Sequence, residues 1–459
     1  MVQKRFAAAV VWAVLAALPL AAAETALDRY VKQPDPAYSF KVVNTVRGEG
    51  YTFYAIDLTT QSWRKASEVD HNVWKHWLTI VKPDRVTTST GYLFITGGSL
   101  AEKMPAPNAG YAEMATTTNS VIAELRGVPN EPLLFLEEDK TRTEDGIIAY
   151  TWLKYMTTGD ETWPLRLPMT KAAVRAMDTV TAVMASPDAG GVKVEKFVVS
   201  GGSKRGWTTW TTAAVDSRVI AIMPAVIDLL NIEKSFEHHH AVYGFFAPAV
   251  QDYWEAGIMD WSGTPEYRKL LEIEEPYNYR DRLTMPKYLV NAAGDQFFLP
   301  DSSQFYFDDL KGEKYLRYVP NADHSLRNSD ARESMFAYYE AFLNGKPRPQ
   351  FSWTFEQNGD IRVVSKDKPS AVKLWHATNA EHRDFRLMTI GPAYQSSDLP
   401  DRGDGVYIGR AARPEKGWTA YFVELTYPSG GKYPFKFTTA VRVTPDTKPF
   451  EPYVPKRPK

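Results

Sequence analysis

A serine hydroxyl becomes a useful nucleophile when a histidine takes its proton and a carboxylate holds that imidazole in place; such a relay cleaves acyl bonds. One stretch of this chain has the local pattern for such a serine: residues 197–210 read Phe-Val-Val-Ser-Gly-Gly-Ser-Lys-Arg-Gly-Trp-Thr-Thr-Trp. A short apolar strand, Phe197 to Val199, passes through Gly201-Gly202-Ser203-Lys204-Arg205-Gly206 into helix-compatible residues. A strand-to-helix turn this tight forces its serine into a strained backbone conformation that lifts the hydroxyl clear of the sheet. Gly201 and Gly206 allow the turn to close against strand and helix, and Gly202 is read as permitting unusual dihedrals beside the nucleophile. The pattern departs from G-x-S-x-G, because Arg205 stands two residues after Ser203 and the small residue comes one later.

The partners of Ser203 follow from position. In α/β-hydrolases the order along the chain is nucleophile, acid, histidine, each on a loop after a strand. Of the eight histidines, His71 and His76 precede the serine, His376 and His382 fall in a C-terminal β-rich region, and His238, His239 and His240 sit in an insert. His324 remains, in a turn after the strand-like Tyr315-Leu-Arg-Tyr-Val. Asp295 lies in a Gly-Asp turn after Lys287-Tyr-Leu-Val-Asn and is the favoured acid. Asp301, which reads as a helix cap, and Asp228, at the end of an earlier strand, are its competitors. The backbone N–H of Lys204 and a second one from Gly98 or Ser99, in Thr96-Gly97-Gly98-Ser99, are the expected oxyanion donors, each contributing roughly 10²–10³ in rate. Arg205, Trp207 and His239 are read as residues of the substrate pocket.

The elements that must hold these groups alternate between apolar strands and helical patterns, which implies a mostly parallel sheet covered by helices on both faces. Tyr92–Ile95, Pro132–Leu136, Val219–Ile227, Lys287–Asn291 and Tyr315–Val319 read as strands. Thr117–Arg126, Ile147–Met156, Thr170–Met184 and Ser329–Leu343 read as helices. The expectation is an α/β-hydrolase fold over residues 24–347, with 231–282 as a helical cap over the cleft. After the linker Asn344-Gly-Lys-Pro-Arg-Pro-Gln, residues 348–445 lose helical periodicity and read as a small β-sandwich, with Trp375 and Trp418 in its core. Residues 446–459 are Pro/Lys-rich and read as a frayed tail.

Composition narrows the partners. Lys+Arg 54 against Asp+Glu 55 gives a formal charge of −1, so nothing favours nucleic acid or an anionic membrane. There is no cysteine, hence no disulfide and no thiolate site. Three adjacent histidines cannot all face one metal within regular structure, and neither a phosphate loop nor a dinucleotide fingerprint is present; no cofactor and no metal are expected. Lys4 and Arg5 precede an apolar run, Phe6 to Leu20, and Ala21-Ala22-Ala23 offers a cleavage site. Residues 1–23 therefore read as a signal peptide cleaved near Ala23, giving a periplasmic or secreted protein without stable membrane insertion.

The segments Thr59-Thr-Gln-Ser-Trp, Trp77-Leu-Thr-Ile-Val-Lys-Pro, Arg142-Thr-Glu-Asp-Gly-Ile-Ile-Ala-Tyr-Thr-Trp, Gly201-Gly-Ser-Lys-Arg-Gly-Trp and Asn291-Ala-Ala-Gly-Asp-Gln-Phe-Phe resemble the PhoPQ-activated pathogenicity-related family. The resemblance covers nearly the whole mature chain and implies an exported serine-hydrolase fold whose natural substrate is undefined. The Ser203-Lys204-Arg205-Gly206 arrangement is also locally similar to glucuronoyl esterases, which implies an oxyanion role for the basic residue after the nucleophile. The resulting expectation is a serine hydrolase acting on a small-molecule, peptide or carbohydrate ester. A serine peptidase and a non-catalytic binding or signalling protein on the same scaffold are the alternatives.

Overall fold

A computed structural model describes residues 24–457; the expected signal peptide, residues 1–23, lies outside the described residues. Six strands run parallel in the spatial order Ile122–Leu125, Thr90–Ile95, Lys196–Gly202, Val219–Ala225, Lys287–Ala292 and Lys314–Val319. An antiparallel meander, Ser39–Gly48, Tyr51–Ser62 and Val73–Pro83, extends the sheet beyond Ile122–Leu125. The strand order turns back at Thr90–Ile95: the next two strands of this sheet along the chain, Ile122–Leu125 and Lys196–Gly202, lie on opposite sides of it. The crevice outside the carboxyl ends of the strands at such a reversal is where open α/β sheets place their ligands. With helices on both faces, this is the α/β-hydrolase fold.

Each face of the sheet has its own core. Helices Glu144–Thr158, Arg166–Ala185 and Lys204–Val215 cover one, burying Trp63, Trp74, Trp152, Trp207 and Trp210. Helices Ala109–Thr118 and Ala331–Leu343 cover the other, where Tyr288, Tyr338, Tyr339 and Phe437 pack together. The expected helix Thr117–Arg126 is two elements: a helix ending at Thr118, then a strand at Ile122–Leu125. Ile122, Ala123 and Leu125 are buried between two strands, and that pairing overrides the helix propensity of Ala, Glu and Leu. The expected strand at Pro132–Leu136 shortens to Leu133–Phe135 and pairs with Lys140–Arg142, with an isolated bridge from Phe135 to Val69, outside the main sheet.

The insert and the C-terminal region take positions the sequence did not suggest. Residues 231–282 form helices Ile232–Tyr243, Gln251–Glu255 and Pro265–Glu274. They do not roof the serine. Tyr253 and Tyr267 pack against Trp152, Tyr253 donates to Asp145 Oδ1 at 2.9 Å, and Glu274 pairs with the buried Arg166 at 3.3 Å. The insert thereby thickens the first core, which is where its apolar residues find burial.

The C-terminal strands form two facing layers, Phe351–Phe355/Ile361–Ser365/Val406–Gly409 and a second sheet built on Trp418–Tyr427. That second sheet is continuous with the central one, because Phe435–Thr438 pairs with Lys314–Val319. Trp375 and Trp418 are partly buried against the core. The residues after Thr444 are not frayed among those described. Phe450 N donates to Ala241 O at 3.0 Å, Tyr453 donates to Asp260 at 2.6 Å, and the Tyr453 ring meets His240, Phe246 and Trp254. Apolar and aromatic residues spaced through the Pro/Lys-rich segment supply this docking.

Residues 383–394 reach from the C-terminal region onto the loops that follow the parallel strands. Leu387 N donates to Gly294 O at 2.9 Å, and Asn321 and Tyr394 exchange hydrogen bonds of 2.8 and 2.9 Å. Arg383 meets Asp301 at 2.8 Å, with Asp446 at 3.8 Å, and the second oxygen of Asp301 accepts from His238 at 3.0 Å. Burial would raise the Asp301 pKa, but the charges of Arg383 and His238 and their hydrogen bonds hold it well below the usual carboxylate range. A depressed native pKa stabilises the fold at every pH above the ordinary aspartate value of 3.8 and loses that contribution as acid protonates the folded form. Replacing Arg383 by Met leaves a buried carboxylate without its main counter-charge, at a cost of about 3–5 kcal/mol. Thermal melts across the acid range should show a lower Tm for Arg383→Met at neutral pH, with the gap to the unsubstituted protein narrowing as pH falls below 3.8. Equal melting curves would contradict this account.

Candidate active site

The turn after Lys196–Gly202 is the sharpest constraint in the structure. Ser203 adopts φ 57° and ψ −129°, outside the helix that begins at Lys204. Its N–H donates to Ala225 O at 2.8 Å, and its carbonyl accepts from Trp207 N at 3.0 Å. A Cβ on Gly201 would lie 2.5 Å from Arg205 O, and one on Gly206 would lie 2.9 Å from Ala225 O. Both glycines are therefore steric requirements of the turn. Gly202 is not: its nearest neighbour would be Val226 at an ordinary 3.8 Å, and the strain sits at Ser203 itself. Val226, at φ 45°, is a second strained residue close by, and a β-branched side chain is a rare occupant of that region.

The arginine that displaces the usual glycine has a defined place. The Arg205 guanidinium runs to Val128 O and forms a two-pronged pair with Glu144 at 2.9 and 2.8 Å, with Glu131 at 3.6 Å. Lys204 Nζ reaches Glu144 at 2.5 Å and Asp145 at 3.2 Å. Burial would raise the pKa of Glu144, but hydrogen bonds from Arg205 and the charges of Arg205 and Lys204 bring it down to about 2. Burial and the neighbouring Glu144 push Glu131 up to about 7. Arg205 fits because Gly97 has no side chain: a Cβ there would lie 2.5 Å from Nη2. Thus the side chains of Lys204 and Arg205 are spent on carboxylates, and neither is among the residues lining the cavity at Ser203.

The acid and the histidine come from the two strands expected to carry them. Asp295 is buried in the loop after Lys287–Ala292; its Oδ1 accepts from the N–H groups of Phe297 and Phe298 at 2.7 and 3.3 Å. Its Oδ2 meets His324 Nδ1 at 2.7 Å. An ionised carboxylate only accepts, so Nδ1 carries the proton and Nε2 is the basic nitrogen. His324 N donates to Gln296 Oε1 at 3.1 Å, and its ring packs on Phe297 with centroids 4.3 Å apart. Nε2 is buried and has no hydrogen-bond partner among the described residues, so no bond to the Ser203 hydroxyl is formed here. The competitors for the acid role are engaged elsewhere. Asp301 serves Arg383 and His238, and Asp228 accepts from Tyr306 and Tyr318 at 2.5 and 2.6 Å, burial pushing its pKa up to about 7.

Ser203 and His324 share the wall of a cavity of about 450 Å³. Its lining is mostly apolar and includes Tyr92, Phe94, Met114, Val226, Met335 and Phe336. Several expected site residues lie elsewhere. Trp207 donates to Glu274 O within the first core. His239 accepts from Ala247 N at 3.0 Å, and burial pushes its pKa down to about 3. Gly98 faces Gly127 and Glu102, while Ser99 borders a separate cavity with Glu102 and Arg126. The loop turns that way because Gly97 O and Thr96 O accept from Gly127 and Val128. The sequence reading missed Tyr111 and Arg332, which line the serine's cavity from helices far apart in sequence; no motif marks either.

Solved structures similar to this chain include acetyl xylan esterase 1 from Thermoanaerobacterium sp. JW/SL YS485, 12% identical with a TM-score of 0.46, covering 69% of this chain and 92% of that one. An acetyl xylan esterase from Paenibacillus sp. R4 is 15% identical with a TM-score of 0.47, covering 70% and 92%. Autocrine proliferation repressor protein A of Dictyostelium discoideum is 37% identical over 456 residues, which is 93% of this chain and 92% of the relative. With the family model of the PhoPQ-activated pathogenicity-related protein matching residues 27–386, the chain belongs to that family.

Proposed function

We propose that this protein is a serine hydrolase that cleaves a carboxylic ester through an acyl-enzyme. The observation that carries the reading is the Asp295–His324 hydrogen bond of 2.7 Å, with the buried Nε2 on the same cavity wall as a serine at φ 57°. In this reading the serine hydroxyl comes within reach of that nitrogen when substrate binds, as catalytic hydrogen bonds often tighten only then. Ser203 Oγ then attacks the carbonyl carbon while its proton passes to His324 Nε2. The tetrahedral oxyanion faces the Lys204 N–H, the first of the free amides at the start of helix Lys204–Val215. The C–O bond breaks, His324 returns the proton to the departing alkoxide, and water repeats the cycle on the acyl-enzyme. Asp295 stays ionised and fixes the tautomer throughout.

The relative's name speaks of repressing proliferation and not of a reaction, and it supports the second reading, a binding or signalling role on this scaffold. A fluorophosphonate probe separates the two. The unsubstituted protein should label at Ser203, Ser203→Ala should not, and ester turnover should fall by about 10⁴–10⁶. Asp295→Asn should fold normally yet lose about 10⁴ in kcat by presenting the wrong tautomer. An unlabelled protein whose biological activity survives Ser203→Ala is a binder. Gly97→Ala should drive the methyl into the Arg205 guanidinium, lowering stability by about 1–3 kcal/mol in denaturant titrations and slowing probe labelling. We also propose export, on the strength of Lys4, Arg5 and the apolar run before Ala23. N-terminal sequencing of the native protein should begin near Glu24, and a retained Met1 would exclude cleavage.

A further inference from the structure

Arg332 stands on the wall of the cavity that Ser203 and His324 share, on the first turn of helix Ala331–Leu343. Its guanidinium lies against Gly110, where a methyl group would collide with it, and its carbon sits 5.9 Å from the centre of the Tyr111 ring. It forms no ion pair or hydrogen bond among the described residues, and the acidic side chains of neighbouring segments have other partners. Asp330 is taken by Arg317 and Lys436, Glu113 by Lys432, Asp323 by Ser325, and Glu124 accepts from Tyr111 and Thr96. Glu333 follows Arg332 at about 100° around the helix. The cation also sits over the first turn of helix Ala109–Thr118, where no acidic residue offsets the positive end of the helix. A mostly apolar chamber with Ser203 on its wall thus also has one guanidinium, contributed by a solvent-exposed residue, with no ion pair or hydrogen bond among the described residues.

We infer that Arg332 selects the substrate, which is an ester whose apolar acyl chain carries a carboxylate; this rests on the hydrolase reading of Ser203. The apolar walls take the chain, and the guanidinium takes the carboxylate through charge-assisted hydrogen bonds. Gly110 is the residue that makes room for it.

The probe pair is the p-nitrophenyl monoester of suberic acid and the same compound with its free carboxylate capped as a methyl ester. The unsubstituted protein should favour the anionic ester in kcat/KM by about tenfold or more, as expected for a hydrogen-bonded charge pair, and added salt should shrink that ratio. Arg332→Met should bring the ratio close to one, and Arg332→Lys should retain part of it. Gly110→Ala, which suits a helix and displaces only the end of a flexible side chain, should also reduce the ratio. If the unsubstituted protein hydrolyses both esters with equal kcat/KM, the assignment of Arg332 is overturned while the hydrolase reading stands. If neither ester is hydrolysed and no fluorophosphonate label is taken up, the hydrolase reading falls and this inference falls with it.

Discussion

The fold is organised around one unfavourable backbone conformation. Ser203 at φ 57° is held there because the strand before it and the helix after it meet too closely for any other path. Gly201 and Gly206 allow that approach, and Ala225 on the next strand takes the serine's amide. The Lys204 and Arg205 side chains then tie the start of the helix to Glu131, Glu144 and Asp145. The residues most easily read as electrostatic help for a reaction hold the turn in shape instead.

The loops carrying Asp295 and His324 depend on a region outside the parallel sheet. Gly294 accepts from Leu387, Asn321 is bonded twice to Tyr394, and Asp301 meets Arg383. Each contact falls within a few residues of the aspartate or the histidine. The C-terminal layers are therefore not an independent attachment: they continue the central sheet through Phe435–Thr438 and brace the loops at its end.

Ser203, Asp295 and His324 were legible because each is a local signal, a loop residue after an apolar strand, and their order along the chain restricts the choice. The parallel sheet was legible from the alternation of strands and helices. What escaped was set by contacts distant in sequence. Gly97 looked like part of an oxyanion loop, but its missing side chain is space for Arg205, more than a hundred positions away. The insert looked like a lid because of its length, whereas Tyr253, Tyr267 and Glu274 bury it against Trp152 and Arg166. Thr117–Arg126 looked helical by composition, and only the pairing of Ile122–Leu125 with two strands makes its second half extended. Arg332 carries no signature at all, since an arginine on a helix is ordinary until its neighbours are known.

The docking of residues 450–457 onto the insert has a consequence for how the molecule comes into being. Phe450, Tyr453 and Arg457 contact Ala241, Asp260 and Trp261, and Thr438 pairs with Leu316. Contacts between residues this far apart in sequence make folding slow, because the chain must close large loops before they form. A ribosome making this chain releases Thr438 and residues 450–457 only after the segments they pack against. Until then the flank of the insert and the far edge of the sheet stay open, so the nascent chain is a template with an unprotected border.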